Sequence, residues 1–91
     1  MTTRNEEYAA MSRKLLEDGR QALSQGDPVQ ASEKLWGAAA QMVKSVAESR
    51  GWPHHDHREL FRVVNRLAQE TGDLELRRLF RLANSMHTNF Y

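Results

Sequence analysis

The dipeptide Gly-Asp occurs at 26–27 and again at 72–73, each time between two long stretches of helical periodicity. Glycine ends a helix by entering the left-handed region, and an aspartate right after it caps the next helix. Stop and start this close leave almost no loop, so each pair predicts an antiparallel helical hairpin. Helix 1 is expected from about Asn5 to Gln25, on the recurrence of Tyr8, Met11, Leu15, Ala22 and Leu23. Helix 2 starts at Asp27, with Pro28 in the first helical position and Gln30 where a capping box wants Glu or Gln, and Gly51 stops it after Arg50. Asp56 caps helix 3, with Glu59 completing a second capping box, and helix 4 runs from Asp73 to the end of the chain. No segment alternates with period two over strand length. The expected fold class is therefore all-α, a compact antiparallel four-helix bundle in a single domain covering residues 1–91.

On a helical wheel, the apolar residues of helix 2 from Leu35 and Trp36 to Val46 and Ala47 cover more than half the circumference. A stripe that wide suits a central helix with neighbours on two sides, a second subunit among them. Gly37 lies on the other side, near Gln41, Lys44 and Glu48. A glycine inside a helix costs about 1 kcal/mol relative to alanine, so Gly37 marks either the close approach of a backbone or ligand, or a tolerated surface position.

Three of the four histidines fall in "GWPHHDHREL". His54, His55 and His57 with Asp56 carry donor types that suit zinc or nickel. Their spacing is not that of a helical ligand pair, however, and Asp56 is already required as a cap. The segment reads as a turn, with Trp52 and Pro53 as its apolar lid, and neither a metal nor a cofactor is expected. The chain has no cysteine, which excludes disulfides and thiolate sites. It shows no signal peptide and no membrane-length apolar run, so a cytoplasmic location is expected. A net charge of +1 argues against electrostatically driven, non-specific binding of nucleic acid but leaves room for a local basic face. Arg58, Arg62 and Arg66 form such a stripe on helix 3, expected to be a solvated face paired with acids such as Glu59 and Glu70.

On helix 4, His87 falls on the apolar arc of Leu76, Phe80, Ala83, Phe90 and Tyr91, with Asn84 one turn before it and Arg77 and Arg81 on one border. A histidine can move a proton and an arginine can stabilise developing negative charge, the parts of acid–base chemistry on a phosphodiester. A histidine hydrogen-bonded within the bundle is the alternative.

The segments "ASEKLWGAAAQMVKSVAESRGW", "ETGDLELRRLF" and "ANSMHTNFY" resemble the archaeal PaREP family of small helical proteins, over nearly all of residues 26–91. That pattern is similar in turn to the HEPN superfamily of helical bundles, many of which dimerise, and whose active members are metal-independent ribonucleases. Their motif is an arginine followed after four to six residues by a histidine on the last long helix, which Arg81 and His87 match. The resemblance implies a HEPN-like fold, a homodimer, an RNA or nucleotide ligand, and a separately encoded partner such as a nucleotidyltransferase. For the chemistry, it implies that His87 activates the ribose 2′-hydroxyl or protonates the leaving oxygen. Arg81 would stabilise the phosphorane and Asn84 would orient the imidazole. Arg81 and His87 point about 120° apart on an ideal helix, so convergence needs a second subunit or long side-chain reach.

A different function class stays open beside it. Leu15, Gly19, Ala22, Ala31, Leu35 and Ala38 reproduce the spacing of a tetratricopeptide hairpin. One such unit cannot make a solenoid. Its small residues let two helices approach closely, which suits a non-catalytic interaction module acting as a homodimer.

Overall fold

The computed structural model describes residues 3–89, with Asn89 described for its backbone only. Four helices follow one another: α1 (Arg4–Ser24), α2 (Pro28–Arg50), α3 (His57–Thr71) and α4 (Leu74–Asn89), with no strand among the described residues. The expected ends hold to within a residue or so, and the last two residues assigned to helix 4, Phe90 and Tyr91, lie outside the described residues.

Local hydrogen bonds explain the boundaries. Thr3 Oγ1 accepts from the Glu6 N–H at the start of α1. At its end, the Asp27 N–H returns to the Ala22 carbonyl and the Gly26 N–H to Leu23, which closes a Schellman turn. Asp27 Oδ1 then accepts from the Gln30 N–H to open α2. Gly51 ends α2 at φ +70°, where any Cβ would be strained, and the Trp52 N–H reaches back to the Ala47 carbonyl. Asp56 caps α3 through the Glu59 N–H, and Asp73 opens α4 through the Glu75 N–H. The capping box at α3 departs from expectation in one bond. The Glu59 carboxylate takes the N–H of His55, one residue before the cap, because the loop bends that amide toward the first turn.

α2 is the central helix. Its residues Trp36, Ala40, Val43 and Ala47 meet Leu60, Val63 and Val64 of α3 and Phe80 of α4, and these eight make the buried core. Among the described residues, α1 adds no side chain to this cluster and packs on no helix other than α2. What holds α1 is a seam of small residues, in which Gly19, Ala22, Ala31 and Ala38 are all buried. Two serines fasten the seam: Ser12 Oγ donates to the Ala38 carbonyl at 2.6 Å, and Ser45 Oγ bonds Asn5 at its carbonyl and its side-chain oxygen. Met11 and Leu23, expected on an inward face, are 47% and 56% exposed. Gly37 settles on close approach, but of a side chain: a Cβ there would stand 3.1 Å from Leu15 Cδ1. None of the described helices is long and apolar enough to cross a membrane.

Candidate functional site

The three residues singled out on α4 do not share one face of it. Phe80 is buried against Trp36 (ring centroids 5.1 Å apart) and edge-on to Phe61 (4.9 Å). His87, two turns later on the same arc, is half-buried and stacks on the Trp36 indole at 5.9 Å and 23°. Asn84 is half-buried between them in sequence, and Arg81 is exposed on the next flank, with no ion pair among the described residues. The inward arc thus holds His87 and Asn84, and Arg81 stands outside it. The part of that arc assigned to Phe90 and Tyr91 lies outside the described residues.

A second imidazole joins the first. His57, exposed at the start of α3, stacks on the same indole at 5.1 Å and 23°. Reading His57 as part of a turn missed this pairing. The signal was available, since His57 and His87 stand nearly equal distances before and after the Gly72–Asp73 turn, and an antiparallel hairpin brings such positions level.

The remaining two histidines, His54 and His55, lie in the loop between α2 and α3. His54 is buried; its Nδ1–H donates to the Trp52 carbonyl at 2.7 Å, and its Nε2 lies 3.0 Å from Glu48 Oε2, off the hydrogen-bond axis. The Tyr8 ring meets His54 edge-on at 5.8 Å, which ties the loop to α1 as well. His55 stacks on the outside of His54. His54 and His55 thus lie ring on ring while His57 turns away to Trp36, and among the described residues no three His, Cys, Asp or Glu side chains gather where they could hold a metal ion.

On the other flank of α4 the surface is apolar. Leu79, Leu82 and Met86 are 57%, 53% and 41% exposed. Leu79 borders a groove of 260 Å³ between α2, α3 and α4, floored by Val43, Val64 and Phe80 and rimmed by Met42 and Val46. It also borders a smaller hollow with Leu35, Trp36, Leu82 and Met86, so the two depressions form one continuous apolar face.

Comparison with known proteins gives a family. The model of the archaeal PaREP1/PaREP8 family matches residues 7–91. No curated protein and no solved structure matches the chain. The chain belongs to the archaeal PaREP1/PaREP8 family.

Proposed function

We propose that this PaREP1/PaREP8 family member is a helical interaction module that works as a homodimer through the apolar face of α4 and α2, without chemistry of its own. The exposed run Leu79, Leu82, Met86 carries the reading. Its spacing of three and then four residues is the repeat with which one helix seats in another. A second copy is the occupant that fits, because a two-fold axis sets this stripe against itself and lets each Leu79 enter the groove beside its counterpart. Water-exposed leucine on this scale is otherwise unfavourable, at roughly 25 cal/mol per Å² of apolar surface. Sedimentation velocity tests it. The chain should sediment as a dimer at micromolar concentration, and the double variant Leu79→Glu/Leu82→Glu should sediment as a monomer with unchanged helical circular dichroism. A wild-type chain that stays monomeric at hundreds of micromolar overturns the proposal.

One observation favours a second reading, a HEPN-like module that engages RNA or nucleotides, with a nucleotidyltransferase as a separate partner. Trp36 brings His57 to the same indole as His87, and two imidazoles are what a proton-in, proton-out cleavage of RNA uses. In that reading His87 and His57 exchange protons with the 2′-hydroxyl and the leaving oxygen, Asn84 orients His87, and Arg81 of a second subunit stabilises the phosphorane. Cleavage of mixed single-stranded RNA should then survive EDTA and vanish in a folded His87→Ala variant. Equal cleavage by variant and wild type, or none by either, rejects it.

A further inference from the structure

We infer that the outer face of α3, together with the Trp52 loop, is a binding site for the phosphodiester strand of a single-stranded nucleic acid. The acids expected to neutralise Arg58, Arg62 and Arg66 are engaged elsewhere. Glu59 accepts the His55 N–H at 2.7 Å, and Glu70 pairs with Arg50. All three arginines are exposed, and none has a carboxylate within ion-pair distance among the described residues. A four-residue step on a helix advances about 6 Å, so the three arginine positions form a row along α3 whose interval is comparable to the charge repeat of a stretched strand.

The row is also partly preorganised. The Arg66 guanidinium lies over the Trp52 ring at 4.2 Å, and Arg50 lies over the same ring at 5.0 Å. Stacking holds the plane of a guanidinium and leaves the N–H groups on its edge free, which is the geometry that grips a phosphate with two parallel bonds. Arg62 and Arg66 share a 180 Å³ pocket with Trp52, Pro53, Glu59 and Val63, large enough for one phosphate group at the Arg66 end of the row, where the Glu59 carboxylate accepts the His55 amide. Nearly neutral net charge does not oppose this, because the electrostatic attraction of a strand depends on the few phosphates contacted. The repeat of the row favours a regular polyanion over an acidic protein surface, whose carboxylates follow no such interval.

The test uses the full chain and a fluorescein-labelled twelve-nucleotide oligouridylate, with oligothymidylate and polyglutamate as parallel probes, read by anisotropy. Both oligonucleotides should bind at 50 mM salt. Contact with three phosphates gives a slope of roughly −2 in log affinity against log salt. The triple variant Arg58→Gln/Arg62→Gln/Arg66→Gln should weaken binding at least about tenfold and flatten the slope, with its melting temperature unchanged. Trp52→Leu should weaken binding by a smaller factor, because it frees Arg66 without removing its charge, and Arg13→Gln on α1 should bind as wild type. Three outcomes overturn the inference: wild-type chain that binds neither oligonucleotide, a triple variant that binds as well as wild type, or preference for polyglutamate.

Discussion

Gly19 of α1 and Leu35 of α2 are in direct contact, and a Cβ on Gly19 would stand 2.8 Å from Leu35 Cδ2 and 3.0 Å from its Cγ. Both atoms would have to move, so rotating the end of the leucine does not clear the clash. The absence of a side chain at position 19 is what lets α1 lie close along α2.

Gly19→Ala should therefore be less stable than Gly37→Ala. Each gains about 1 kcal/mol of helix propensity. At position 19 overpacking of roughly 1–3 kcal/mol outweighs it, and the variant is less stable. At position 37 the new methyl meets only the tip of Leu15, 3.1 Å away, which can turn aside, and the variant should be neutral or slightly more stable. Urea unfolding of the two variants decides it, and equal shifts would contradict the packing account.

Ser12→Ala should cost about 1 kcal/mol, since it removes a buried hydrogen bond to a carbonyl that keeps its helical partner. Because α1 is absent from the core, the loss should loosen α1 ahead of the rest. Amide exchange is expected to speed up along Arg4–Ser24 and stay slow at Val63 and Val64, and uniform acceleration would mean that α1 and the core unfold together.

Trp36→Ala should cost about 3–5 kcal/mol, as the buried indole is the meeting point of α2, α3 and α4. Trp36→Phe keeps the core and changes the ring current felt by both stacked imidazoles. Proton spectra of that variant should shift the ring signals of His57 and His87 and leave those of His55 in place. A shift at only one of the two would refute the shared stack.

Asp56→Ala should cost about 1 kcal/mol through loss of the α3 cap. Neither zinc nor EDTA should move the melting temperature of the wild-type chain, because the loop histidines are turned to Trp52, to His54 and to Trp36. A rise of several degrees with zinc would restore the metal reading of the His-rich turn.

Helix ends were readable because they are local. Each cap joins residues two to five apart, so Asp27, Asp56 and the three stop glycines announce themselves wherever the helix later packs. The width of the α2 apolar stripe also foretold a central helix. Periodicity misled at α1, where Met11 and Leu23 recur correctly yet face outward. Hydrophobic spacing assumes that large side chains fill a contact, and this seam is built from Gly19, Ala22, Ala31 and Ala38. Of the candidate site, His87 on the Trp36 side of α4 was legible, whereas the place of His57 was not, since it depends on how level α3 and α4 lie.

What the sequence by itself determined is the set of four helices, their two tight hairpins and the family, all of which follow from short-range hydrogen bonding and residue order. Only the tertiary structure decided which charges remain uncompensated and which apolar residues stay uncovered. Glu59 and Glu70 could have neutralised the arginines of α3 from their own helix, but the loop amide of His55 and Arg50 of α2 hold them instead. Leu79 and Leu82 are as apolar as Phe80, and they remain in water because α2 and α3 together cover only one side of α4. Partner choice across the chain is a property of three-dimensional proximity, and helical periodicity carries no record of it.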